Sequence, residues 1–139
     1  VRVFLDANVL FSGAHSPRGR ARGLFSLAES RFCELVTSEH AIAEARRNLV
    51  TKNSPAAKDL EDLLQQVTRV AEGGPALVSW AAGQGLPEND APILAAAAAS
   101  DTDLLVTGDR RHFGHLYGKT AGRVRIVTLR EALKVLSNP

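Results

Sequence analysis

Cysteine is nearly absent from this chain: Cys33 is the one example in 139 residues. No internal disulfide can form, and a reducing cytoplasm is the compartment that fits. Aromatic residues are almost as scarce, with one tryptophan, one tyrosine and five phenylalanines. Stacking of bases on an aromatic platform therefore cannot be the main way this chain would hold a nucleic acid. No apolar stretch approaches the ~20 residues needed to span a bilayer. The longest small-apolar run, residues 93–99, is broken by Ser100 and Asp101, and nothing reads as a signal peptide. An excess of one charge is missing too: 17 Lys and Arg against 15 Asp and Glu leave a formal charge of +2. So mild a balance identifies no polyanionic partner, and the distribution of charge says more than its sum. Repeats, low-complexity tails and linkers are also lacking, so residues 1–139 read as a single domain.

What the chain does have is an alternation of strand-like and helix-like segments, the pattern of βαβ units around a parallel sheet. A hydrophobic fraction of 45% supplies one sizeable core. Residues 1–5 read as a first strand, 7–11 as a short helix and 12–18 as a loop containing Gly13 and Pro17. A helix over 19–29 carries Leu24, Phe25 and Leu27, and 32–36 is a second strand with Cys33 as buried filler, not a nucleophile. Ser38 is a good N-cap for a helix from Glu39 to about Val50, with Ile42, Ala45 and Leu49 on its apolar face. The spacing of Leu60, Leu63, Leu64 and Val67 predicts an amphipathic helix over 57–71, whose apolar face either packs on the core or serves a homodimer. A third strand is expected over 76–80, a small-residue helix from Asp90 to about Ala99, a fourth strand over 103–106, a fifth over 124–127 and a closing helix over 129–136. The fold class is α/β with a central, mostly parallel sheet of four to five strands.

Two of these strands share a design. Residues 1–5 run into Asp6, and residues 104–108 run into Asp109. In one parallel sheet both carboxylates emerge at the edge where open α/β sheets bind ligands. Asp90 opens a helix at the same edge, and Glu44 lies on the helix that leaves strand two. Each has an ordinary alternative: Asp90 as a helix cap, Asp6 and Asp109 as turn formers, Glu44 as a solvated helix residue. Independent capping roles would not require four acids to converge on one edge. If they do converge, mutual repulsion raises their pKa values, and a hard cation such as Mg²⁺ or Mn²⁺ removes that penalty. Asp101 and Asp103 precede strand four and are expected at the opposite edge.

The segments Phe4-Leu5-Asp6-Ala7-Asn8-Val9-Leu10, Ser38-Glu39-His40-Ala41-Ile42-Ala43-Glu44, Asn89-Asp90-Ala91-Pro92-Ile93-Leu94-Ala95 and Leu105-Val106-Thr107-Gly108-Asp109 with Phe113 resemble, in order and spacing, the PIN domain family. Ser12 and Gly13 resemble its branch of toxins from toxin–antitoxin systems. The resemblance implies a three-layer α/β/α sandwich and a ribonuclease dependent on one or two Mg²⁺ or Mn²⁺ ions. It implies acidic ligands at Asp6, Glu44, Asp90 and Asp109, with Asn8 and Thr107 in support. It also allows an antitoxin partner and a homodimer. Two departures stand out: Ala7 replaces the hydroxyl residue usual between the aspartate and asparagine, and Pro87-Glu88-Asn89 stands where many relatives carry a further acid.

The matching hypothesis is phosphodiester hydrolysis by a metal-activated water. An RNA substrate also needs cations on the protein, and Arg18, Arg20 and Arg22 in an acid-free loop, with Arg110 and Arg111 beside Asp109, are candidates for phosphate contacts. His112 and His115 are read as surface or RNA-edge residues, not metal ligands. The rival classes are a PIN scaffold that binds RNA or protein without cleaving, and a receiver-like phosphoacceptor domain with an acidic Mg²⁺ pocket.

Overall fold

The computed structural model describes residues 1–137. The chain runs β1 (Arg2–Leu5), α1 (Ala7–His15), α2 (Ala21–Glu29), β2 (Glu34–Ser38), α3 (Glu39–Thr51), α4 (Ala57–Leu64), β3 (Thr68–Val70), α5 (Gly74–Ala82), α6 (Ala91–Ala99), β4 (Leu104–Val106), α7 (Arg110–Phe113), a 3₁₀ turn (Gly114–Leu116), β5 (Thr120–Ala121), β6 (Val124–Val127) and α8 (Leu129–Ser137). The strands form one six-stranded sheet in the order β3-β2-β1-β4-β6-β5. All neighbours are parallel except β5 and β6.

Val3, Phe4 and Leu5 of β1, and Leu105 and Val106 of β4, are wholly buried, as strands covered on both faces must be. From β1 the chain steps outward to β2 and β3, then returns across the sheet to β4 and continues to β6. Right-handed crossovers put helices of the outward and return journeys on opposite faces. Accordingly α1 packs with α3 and α4, while α5 packs with α6, which gives three layers. Helix α8 joins α2. Because the chain leaves β1 and β4 in opposite directions, the crevice between their C-terminal ends is the topological switch point.

The sheet differs from expectation at its edges. Residues 76–80 are not a strand but the middle of α5, which starts with Pro75 in its first turn. A short apolar run does not distinguish a buried strand from a packed helix. The third strand is instead Thr68–Val70, within the span predicted as one long helix, because α4 ends at Leu64. The two-residue β5 brings the count to six strands instead of four to five. Leu60, Leu63, Leu64 and Val67 are buried in the core, so that face is not free for a second copy. Cys33 is buried, and burial pushes its thiol pKa up, as befits filler. Asp103 lies at the opposite edge, accepting from the Arg2 N–H at 2.8 Å. Among the described residues, no helix is long and apolar enough to cross a membrane.

The alanines of α6 allow close approach: Ala95, Ala96 and Ala97 are wholly buried. Gly73 completes the contact, since a Cβ there would lie 2.5 Å from the Ala95 carbonyl oxygen. Gly73→Ala is therefore expected to destabilise the protein by about 1–3 kcal/mol through overpacking. Chemical denaturation checks this, and an unchanged midpoint would refute the contact.

Candidate active site

Asp6 follows β1 directly and is 2% exposed. Its Oδ1 accepts from the Ala7 N–H at 2.7 Å, and its Oδ2 from the Thr107 hydroxyl at 2.8 Å and the Asn8 amide at 3.3 Å. Ala7 is itself fully buried, so its backbone, not a side-chain hydroxyl, serves the carboxylate. Burial is the main force on Asp6 and pushes its pKa up to about 6, against the Thr107 and Ala7 hydrogen bonds; the charges of Glu44 and Asp90 push the same way as burial.

Thr107 is wholly buried just after β4. Its hydroxyl donates to Asp6 and accepts from the Asn8 amide at 3.3 Å and the Asp109 N–H at 3.1 Å. Asn8 returns the tie, its Oδ1 accepting from the Gly108 N–H at 2.6 Å. The loops after β1 and β4 are thus laced together at the switch point. The Tyr117 hydroxyl adds a bond to the Thr107 carbonyl at 2.9 Å.

Asp109 caps α7, with Oδ1 accepting from the His112 N–H at 3.1 Å. Its Oδ2 faces His112 Nδ1 at 2.8 Å. Asp90 occupies the N-cap position of α6, yet its side chain makes no capping bond. The carboxylate turns inward, and Oδ2 lies 2.9 Å from the same Nδ1. Burial raises the Asp90 pKa most; the charge of Asp109 adds to the rise, while those of His112 and His40 oppose it. Glu44, half-buried on α3, is raised first by burial and then by Asp90, against His40 and Arg47.

Asp6, Glu44, Asp90 and Asp109 therefore line one cleft of about 340 Å³, together with Asn8. Four further walls, Asn48, Asn89, Gly108 and His112, are given no site role by the sequence. The same holds for His40, whose ring bonds the Asn89 carbonyl at 2.9 Å. Helical spacing carried part of the signal, because residues 40, 44 and 48 fall on one face of α3. The expected arginines do not line the cleft. Arg110 and Arg111 are exposed beside it on α7. α1 runs on to His15 instead of ending at Phe11, and its nine residues put about 13 Å of helix between Asp6 and the segment bearing Arg18, Arg20 and, in the first turn of α2, Arg22. Arg22 is used structurally, donating to the Gly13 carbonyl.

The donor set fits a hard divalent cation. Two of the carboxylates are buried, three are held above their ordinary pKa range, and a counter-charge in the cleft would relieve both burdens.

The fold is found in solved structures of other proteins. PAE2754 from Pyrobaculum aerophilum aligns over 100% of this chain and 91% of its own, with a TM-score of 0.69 and 22% identity. VapBC2 from Rickettsia felis, solved bound to a DNA fragment from its promoter, aligns over 92% of this chain and 98% of the matched one, with a TM-score of 0.62 and 15% identity. No curated protein matches the sequence. The family model described as "PIN domain" matches residues 2–111, a span that contains all four carboxylates, Asn8 and Thr107. The chain therefore belongs to the PIN domain family, whose members are generally nucleases.

Proposed function

We propose that this protein is an endoribonuclease that hydrolyses RNA phosphodiester bonds with the help of Mg²⁺ or Mn²⁺. The observation that carries the reading is Asp90: at a helix cap position it leaves the cap unmade and joins three other carboxylates in one cleft. Asp6, Glu44 and Asp90 would hold the ion, directly or through water, and Asp109 would hold a second ion or orient the attacking water. A divalent cation bound there supplies Lewis-acid charge, which makes water nucleophilic near neutral pH and stabilises the phosphate oxygens. Asn8 and Thr107 fix the Asp6 carboxylate so that it meets the cation in one orientation. Arg110 and Arg111, exposed next to the cleft, would bind flanking phosphates without reading sequence. Likeness to VapBC2 supports a toxin role with a cognate antitoxin as partner, and a lone cysteine suits a reducing cytoplasm. A homodimer, if formed, would use a surface other than the buried face of α4.

The test is a fluorogenic RNA assay in Mg²⁺, Mn²⁺ and EDTA, with a DNA oligonucleotide of the same sequence alongside. Cleavage of RNA with either ion and none in EDTA is expected. RNA binding without cleavage in either ion would favour a scaffold and overturn the nuclease.

Thr107→Val gives a second check. It removes the hydroxyl that bridges Asp6, Asn8 and the Asp109 N–H while keeping the side chain's shape. Stability should fall by about 1–3 kcal/mol because buried partners lose their bonds, and ion affinity by about 10- to 100-fold. Denaturation midpoints and calorimetric Mn²⁺ titration measure the two losses, and an unaltered Mn²⁺ affinity would remove Thr107 from the supporting set.

A further inference from the structure

We propose that His112 is a nitrogen ligand of the ion this cleft holds and that it biases the cleft toward Mn²⁺ over Mg²⁺. The inference rests on the nuclease reading and chooses between the ions that reading leaves open. The His112 Nδ1 lies 2.8 Å from Asp109 Oδ2 and 2.9 Å from Asp90 Oδ2. A ring nitrogen carries at most one proton and points it along one line. Two carboxylate oxygens at nearly equal distance are therefore poorly served by one N–H, whereas a cation serves both. Adjacent ligands 2.0–2.1 Å from an octahedral ion sit roughly 3 Å from each other, close to both spacings. One donor atom from each of Asp90, Asp109 and His112 lies within 4.8 Å of the others.

Local structure places the ring there. Asp109 caps α7 through the His112 N–H, so the turn that anchors the carboxylate also delivers the imidazole beside it. The ring is 38% exposed while the two carboxylates are 11% and 25% exposed, which sets His112 at the mouth. The neighbouring imidazole, His40, is engaged with the Asn89 carbonyl. As a ligand, His112 would carry its proton on Nε2 and offer the Nδ1 lone pair to the ion. Imidazole favours transition-metal ions, whereas Mg²⁺ prefers oxygen and retains its waters.

The experiment is pulsed electron paramagnetic resonance on tag-free protein loaded with Mn²⁺, without RNA. Nitrogen hyperfine modulation from a bound imidazole is expected in wild type and His40→Ala and is expected to vanish in His112→Ala. Calorimetry should show Mn²⁺ affinity falling about 10- to 100-fold in His112→Ala, with Mg²⁺ affinity changing less than about threefold. Wild-type protein that binds Mn²⁺ without nitrogen modulation overturns the ligand role and leaves the nuclease reading intact. Equal losses of Mn²⁺ and Mg²⁺ affinity overturn the ion preference. Wild type that binds neither ion overturns both readings, and this outcome, like the wild-type spectrum, does not depend on how a variant folds.

Discussion

Asp6→Asn should lower RNA cleavage by about 10³-fold while raising the stability of the ion-free protein at pH 7.5. On the proposed mechanism the first effect is the loss of a charge that holds the ion where phosphate charge develops; removing one such electrostatic contribution costs about 10²–10³ in rate, and loss of ion affinity adds to it. The second effect follows from burial. Asp6 has a folded pKa of about 6 against an ordinary value of 3.8. A raised carboxylate pKa means that the folded state favours the protonated form. The stability this confers is complete below about pH 4 and is lost as pH rises through about 6. Ionised Asp6 therefore costs up to about 3 kcal/mol at neutral pH. Asparagine carries no charge and keeps an oxygen for the Ala7 N–H, but its amide nitrogen no longer accepts from the Thr107 hydroxyl or from Asn8. Those lost bonds take back about 1–2 kcal/mol. The net gain is about 1–2 kcal/mol at pH 7.5 in EDTA, and it closes toward pH 4. Thermal melts across that range measure it. A variant that cuts RNA at the wild-type rate, or that melts below wild type at pH 7.5, refutes the argument.

Divalent-ion binding should strengthen steeply between pH 5 and pH 7. Protons compete with the ion at Asp6, and burial makes Glu44 and Asp90 proton-hungry in the same direction. For one displaced proton, affinity falls about tenfold for each pH unit below the carboxyl pKa. At an ion concentration 100 times the dissociation constant, binding stabilises the fold by about 2.7 kcal/mol. The same Mn²⁺ concentration should therefore raise the melting temperature about twice as much at pH 7.5 as at pH 5, and EDTA should return cleavage to background at both. An equal thermal shift at both values would show that the ion binds groups other than these carboxylates.

How far the sequence could foretell this site depends on how local each signal is. β1 and β4 were legible because a dense apolar run meeting an aspartate marks a buried strand and its end. The start of α3 was legible because Ser38 caps it, accepting from the Ala41 N–H at 3.3 Å. Asp90 stands at the edge expected for it, although residues 76–80 form no strand leading to it. It owes that position to α6, which runs back along the sheet to the start of β4. The edge strands β3 and β5, of three and two residues, are too short to show alternation and exist because β2 and β6 offer them hydrogen bonds. His112 carries no sequence signal for the cleft because its second partner, Asp90, comes from a different part of the chain. No spacing rule brings those two together; only the tertiary approach of the start of α6 to His112 does.

The Asn8 to Gly108 tie joins residues 100 positions apart. During synthesis the first carboxylate emerges early, but the hydroxyl that orients it and the last acid arrive only after β4 has been made. On the proposed mechanism a growing polypeptide would therefore gain its cutting power only once Thr107 has left the ribosome, and translation that stops short of that residue would release a fragment unable to attack RNA.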